Sequence, residues 1–295
     1  MQIEQNKLKE QDDMMPMELT KTKQIFSKNA AYQKFEVLLT NRNKRHKYNE
    51  FIAEGVRNIN EAIRNNWEIV SFIYSHESEL SHWAVDILNN QKTAINYGLT
   101  SKLMSDLSSK DETSELMAIL KMKGSDVKWR YSNPNPIFAL FDRPSNKGNL
   151  GTMLRSCDAF GVEQLIITGH SVDIYEPDVI TSSTGSFFNV PFIRLSENTE
   201  TDNYIASLKL SYPQLKIIGT SDKANAAIYE TDMTMPILIM MGNERSGLSK
   251  HYRDVCDELA AIPINAESSA SSLNVSCAAT TVFYEVIRQR NTAWI

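Results

Sequence analysis

Ile237-Leu-Ile-Met-Met-Gly242-Asn243-Glu244-Arg245-Ser246-Gly247-Leu248-Ser249 is the stretch that decides the fold class of this chain. Five large apolar residues in a row, with no polar alternation, suit a strand covered on both faces. Two glycines bracketing a charged turn follow at once, and Ser246 or Ser249 is placed to cap a helix. A buried strand that runs straight into a polar turn and a helix is the repeating unit of an α/β domain.

Working outward, the same signal recurs. Residues 137–141, 165–167, 216–218 and 259–264 are short apolar runs, and helical spacing fills 149–160, 176–184, 200–210, 247–257 and 272–290. Strands alternating with helices predict a mostly parallel sheet with helices on both faces over residues 137–295. Towards the N-terminus, residues 48–123 read as a smaller alternating unit, with strands at 51–53, 69–74, 93–97 and 116–122. Thr100 is placed to cap a short helix in it. Asn133-Pro134-Asn135-Pro136 closes a linker over 124–136, because the residue before each proline is pushed out of the helical region. Residues 1–47 form an N-terminal extension, polar and frayed over 1–22, then a helix with Phe35 and Leu38, then the basic cluster Arg42, Lys44, Arg45, His46 and Lys47.

The chain of 295 residues carries a formal net charge of −5, which argues against nucleic-acid binding by bulk charge and leaves a local patch open. The basic cluster is such a patch, or else a solvated turn. Cys157, Cys256 and Cys277 are scattered and odd in number, so neither a disulfide framework nor a zinc or other metal site is predicted. The N-terminus has no apolar signal core and no run is long enough to span a membrane, which points to the cytoplasm.

Three polar clusters stand at strand-to-helix junctions, where open α/β sheets bind ligands. The first is Asn146 to Ser156: Asn149 reads as a helix cap, Leu150, Met153, Leu154 and Cys157 as the buried stripe, and Thr152, Arg155 and Ser156 as the opposite face. It suits a capped helix with a surface arginine, or an anion site with Arg155 aimed at phosphate. The second is the Gly242–Leu248 turn, whose Glu244 needs a partner if buried, with Arg245 and Arg155 as candidates. The third joins Ile262-Pro263 through a small polar loop to Ser272-Leu273-Asn274-Val275-Ser276, where the polar residues suit helix capping. A dinucleotide enzyme would need a GxGxxG turn after the first strand, and that pattern is absent.

Taken together and in this order, Asn149 with Arg155 six residues on, Gly242-Asn243-Glu244-x-x-Gly247-Leu248, and Ile262-Pro263 followed by Ser272-Leu273-Asn274-Val275-Ser276-Cys277-Ala278-Ala279 resemble the SpoU/TrmH family of the SPOUT superfamily. Arg245-Ser246 departs from a more usual glycine-containing pair, and the loop between Ile262 and Leu273 is longer than usual. The stretch Phe51-Ile-Ala-Glu-Gly55 with Arg57 is similar to the family's ribosomal-protein-like substrate-binding domain. The resemblance implies a C-terminal α/β knot, a parallel sheet with a deep trefoil knot, preceded by that small α/β domain. It also implies a homodimer that methylates a ribose 2′-hydroxyl in RNA from S-adenosyl-L-methionine. Ribosomal RNA is favoured over tRNA because of the added domain, and a non-catalytic RNA-binding protein on the same fold is the alternative from another class.

By the same resemblance, Arg155, Asn149, Glu244, Ser272 and Asn274 are catalytic, while Thr168, Gly169, Gly242, Ile262 and Leu273 meet the cofactor. Arg42, Lys44, Arg45, Lys47 and Arg57 would hold RNA.

Overall fold

The computed structural model describes residues 21–108, 110, 112–123 and 133–291. The expectations for residues 1–20 and for most of the linker lie outside the described residues. The small N-terminal unit runs β1 (Thr22–Ile25), α1 (Ala30–Thr40), α2 (Arg42–Tyr48), β2 (Glu50–Glu54), α3 (Val56–Arg64), β3 (Ile69–Ser75), α4 (His82–Asn90), β4 (Asn96–Leu99), α5 (Ser101–Leu107) and β5 (Leu116–Lys121). Its sheet has the order β1-β4-β3-β5-β2, with β5 antiparallel to both neighbours and the other pairs parallel. Thr100 caps α5 through a hydrogen bond from the Leu103 amide.

The larger unit runs β6 (Ile137–Asp142), α6 (Lys147–Ala159), β7 (Gln164–Thr168), α7 (Pro177–Ser183), β8 (Phe192–Leu195), α8 (Asn198–Ser211), β9 (Lys216–Thr220), β10 (Ala226–Ala227), β11 (Ile237–Met241), α9 (Lys250–Val255), β12 (Glu258–Ala261) and α10 (Val275–Arg290). Every pair in its sheet, ordered β10-β12-β9-β11-β6-β7-β8, is parallel. The fully apolar strand β11 lies near the centre, between β9 and β6, which is why all five of its residues are buried. The parallel order puts the carboxyl ends of β6, β9, β11 and β12, and the turns that follow them, on one edge. Strand β12 stops at Ala261, short of the expected Ile264, because Pro263 has no amide to give to a ladder.

The two units are joined more tightly than a linker-separated pair, and the division at residue 47 does not hold. Strand β1 pairs along β4, and Tyr32, Phe35 and Leu38 of α1 pack into the core of the small unit. Only Ile25 of β1 is buried, so this edge strand left no apolar alternation to find. Across the interface, Phe51 and Trp67 interleave with Tyr175, Phe187 and Phe188 at centroid separations of 5.0–6.4 Å. Trp67 donates its indole N–H to the Phe188 carbonyl at 2.9 Å. Beside them Arg45 is wholly buried. Its Nε donates to Asp173 at 2.8 Å, its Nη2 to Glu176 at 2.9 Å and its Nη1 to the carbonyls of Leu38 and Leu39.

Arg45 is therefore a structural cation and not an RNA contact. Helix α2 turns it inward while Lys47 stays exposed. A seven-residue helix made almost wholly of polar side chains has no apolar stripe to announce which face is buried.

Removing Arg45 takes the guanidinium from buried Asp173 and leaves half-buried Glu176 with Lys147 alone. Arg45→Ala is expected to cost about 3–5 kcal/mol, the usual penalty for breaking one side of a buried pair. Chemical denaturation of the full chain measures this, and a loss below about 1 kcal/mol, the range of surface pairs, contradicts it.

Candidate active site

Helix α6 begins earlier than expected. Asn146, not Asn149, is its cap, accepting from the Asn149 amide at 2.9 Å. Asn149 thus sits in the first turn with its side chain free to reach elsewhere. The expected buried stripe holds, and Ser156 joins it, hydrogen-bonded to Thr280 of α10 at 2.6 Å instead of facing solvent. Gly151 lets α6 meet α7 closely, since a Cβ there would stand 2.5 Å from the Val179 carbonyl.

Asn149 is the hub of the site. Its Nδ2 donates to Glu244 at 3.3 Å and its Oδ1 accepts from Asn274 Nδ2 at 3.0 Å. Its own carbonyl accepts from Ser276 Oγ at 2.8 Å. One residue of the first cluster therefore binds the second and the third. Asn274 also caps α10, accepting from the Ser276 and Cys277 amides.

Among the described residues Glu244 has no arginine partner, unlike the pairing with Arg245 or Arg155 that its sequence suggested. It accepts from the amides of Ser145 and Asn146, both at 3.0 Å, and from Ser145 Oγ at 2.8 Å. Burial pushes its carboxyl up. The hydrogen bonds from backbone, Ser145 and Asn149 outweigh that and hold it below its ordinary value. At neutral pH it is an ionised acceptor that organises the loop after β6.

The turn after β11 is equally constrained. Asn243 and Gly247 exchange backbone hydrogen bonds at 3.1 and 2.9 Å, and Gly247 adopts φ +65°. A Cβ on Gly242 would stand 2.2 Å from the Leu248 nitrogen, so the first glycine clears room for the turn itself. A carboxylate missed in the sequence, Asp142, is buried under this edge. It accepts from Arg143 at 2.8 Å, from the Ser249 amide at 2.9 Å and from the Thr168 hydroxyl at 3.2 Å. A lone aspartate after a strand carries no periodic signal, and only the fold shows that three elements depend on it.

Between the turns after β9, β11 and β12 lies an open cleft of about 430 Å³. Gly242, Ile262 and Leu273, three of the residues read as cofactor contacts, line it, and so does Ser272, read as catalytic. Thr220 and Ser221 line it too, and were missed because the carboxyl end of β9 bears no motif; Leu248, which closes the turn after β11, also lines it. Thr168 and Gly169 do not line it. They end β7, two strands away across β6, where Thr168 is fully buried and bonded to Asp142.

Arg155 also stands outside the cleft, exposed on α6. Six residues beyond Asn149, it lies about 9 Å along the helix and roughly 120° around it. The structure thus joins Asn149, Glu244 and Asn274, sets Ser272 beside the cleft, and leaves Arg155 apart within one chain.

The sequence profile of the SpoU rRNA Methylase family matches residues 136–284, and that of the SpoU L30e-like domain matches residues 29–118. The chain belongs to the SpoU rRNA methylase family. It is 36% identical to a 23S rRNA (uridine(2479)-2'-O)-methyltransferase of Streptomyces viridochromogenes, over 91% of this chain and 93% of that one. The 23S rRNA (guanosine-2'-O-)-methyltransferase RlmB of Yersinia pestis is 34% identical over 52% of this chain and 60% of its own. Among solved structures, the SpoU methyltransferase AviRb of Streptomyces viridochromogenes, in complex with AdoMet, superposes with a TM-score of 0.84 at 35% identity, covering 90% of this chain and 99% of that one. The small unit at 29–118 is thus an L30e-like domain, reaching further towards the N-terminus than the short signature at 51–57 suggested.

Two outcomes check this geometry. Gly242→Ala is expected to disrupt the turn and lower the thermal midpoint of the protein. A midpoint equal to that of the parent chain contradicts the close approach. Since the folded pKa of Glu244 is depressed, its stabilisation is present above the unfolded value of 4.5 and lost as pH falls through the lower folded value. The stability gap between the parent chain and Glu244→Gln should therefore be widest at neutral pH and close on acidification. A gap that stays constant with pH in thermal melts refutes the assignment.

Proposed function

We propose that this chain is an RNA 2′-O-methyltransferase that uses S-adenosyl-L-methionine and acts on ribosomal RNA. The observation that carries the reading is the Glu244–Asn149–Asn274 network, which ties three motif loops together beside one cleft. The similarity to a named 23S rRNA ribose methyltransferase over 91% of the chain, and to an AdoMet-bound relative, supports it.

The cleft fits such a donor on its own terms. Its volume of about 430 Å³ is within the range of small-ligand sites. Apolar Ile262, Leu273 and Val275 face it together with the polar turn from Gly242 to Gly247, a lining suited to a ligand with a flat base and a polar tail. When bound, the group supplies a methyl on a sulfonium, already electrophilic.

The chain's residues then have to present the ribose oxygen and accept the charge it develops. A guanidinium stays protonated at neutral pH and has no free lone pair with which to accept a proton. Arg155 instead clamps the phosphate beside the target ribose and stabilises the forming alkoxide, while the hydroxyl proton passes to that phosphate or to water. Asn149, Glu244, Ser272 and Asn274 hold the loops that align the sugar, and alignment alone supplies several kcal/mol.

Because Arg155 lies on an exposed face away from its own cleft, the reading includes a homodimer in which Arg155 serves the cleft of a second copy. The stripe Cys277, Tyr284 and Arg288 on α10 is exposed and available for such a contact. The knotted path of the C-terminal chain belongs to the same reading.

Arg155→Ala is expected to abolish methyl transfer to rRNA while leaving donor affinity by calorimetry within about tenfold, some 1.4 kcal/mol. Full activity in that variant, or no donor binding by the parent chain, overturns the proposal.

A further inference from the structure

We propose that Arg42 and Arg194 form a phosphate-binding pair that grips the RNA backbone at the sheet edge carrying the catalytic loops. This deepens the RNA methyltransferase reading and rests on it. The two arginines come from different units, Arg42 opening α2 and Arg194 within β8, yet they converge on one loop. Arg42 Nη1 donates to the Ser171 carbonyl at 3.1 Å. Arg194 Nε donates to the Ser171 hydroxyl at 3.3 Å, its Nη2 to the Gly169 carbonyl at 3.2 Å and its Nη1 to Ser196 Oγ at 3.0 Å.

All of these anchors are neutral oxygens. Among the described residues neither arginine has an ion pair, and the neighbouring carboxylates are engaged elsewhere. Asp173 pairs with Arg45 and His46, and Glu176 with Arg45 and Lys147. Burial first, and then the like charge of Arg42, lower the pKa of Arg194, although Asp173 and Glu200 act the other way. Two guanidiniums anchored on the same residue, Ser171, and making no direct ion pair gain from an anion that bridges them. Each keeps N–H donors in hand, and the planar fork suits phosphate oxygens.

The location picks out a chain of phosphates over a lone ion. The Val172 amide donates to the Pro144 carbonyl at 2.9 Å, which joins this loop to the residues that Glu244 organises, Ser145 and Asn146. Exposed His46 and Lys47 continue away from the pair along α2. A strand lying from the Asn149 hub past Pro144 would therefore meet Arg42 and Arg194, then α2. The RNA-binding set expected from the sequence changes accordingly. Arg45 leaves the surface, Arg194 joins it, and the loop at Gly169 and Ser171 serves as the floor of a phosphate site and not as a cofactor contact.

The test measures binding of a 23S rRNA transcript by fluorescence anisotropy between about 50 and 200 mM salt, where phosphate neutralisation dominates the salt response. The parent chain is compared with Arg42→Gln, Arg194→Gln, the double variant, the double Lys variant, and Lys209→Gln on α8 as a control. The double Gln variant is expected to bind about tenfold more weakly, with a log–log salt slope shallower by roughly one for each phosphate it no longer neutralises. The double Lys variant should restore the slope, and Lys209→Gln should match the parent.

Unchanged affinity and slope in the double Gln variant overturn the pair. So does a loss that follows a lowered thermal midpoint and is not restored by lysine, which marks a structural role. Inorganic phosphate titrated by calorimetry separates a free-anion site: loss of phosphate binding in the variants with RNA affinity intact also overturns the proposal. If the variants lose RNA binding as expected but the parent chain transfers no methyl group to rRNA, the functional reading falls and the pair stands.

Discussion

The site depends on the side chain and carbonyl of Asn149. One residue in the first turn of α6 gives a hydrogen bond to Glu244 and receives others from Asn274 and Ser276. The loops concerned are far apart in sequence and meet only because β6 and β11 are adjacent parallel strands, with α10 packed against α6. A polar hub of this kind is exacting, because each unmade bond at a partly buried position costs about 1–3 kcal/mol. That cost is what holds three loops in one register beside the cleft.

Glu244 and Asp142 support the hub in the same way. Each is a carboxylate that accepts several hydrogen bonds, and each ties turns that follow different strands. Glu244, held below its ordinary value by those hydrogen bonds, is ionised at neutral pH. Their chemistry is positional, which agrees with a reaction whose electrophile arrives already activated and whose main demand is alignment.

The contact between the two units follows a different rule. Phe51 and Trp67 meet Tyr175, Phe187 and Phe188, and Arg45 is buried against Asp173 and Glu176 at the rim of that aromatic cluster. Aromatic burial supplies the attraction, and the buried ion pairs add a directional requirement. The L30e-like domain is therefore set in orientation on the catalytic domain, and its basic helix α2 is placed over the loop after β7. An RNA bound along that surface would reach the cleft with its position already decided.

What the sequence determined by itself was local and periodic: the unalternating runs that became β6, β7, β9 and β11, the helices between them, and the three motifs whose order identified the family. Burial on both faces and short-range capping leave a mark at fixed spacing, so these were legible. The tertiary structure alone decided what depends on neighbours distant in the chain. It decided that Asn146 caps α6 and frees Asn149, that Arg45 is buried while Lys47 is exposed, that Thr168 faces Asp142 and not the cleft, and that β1 completes the small sheet. A charged or polar side chain carries no record of its partner in its own sequence window, because the partner is supplied by strand order and domain packing.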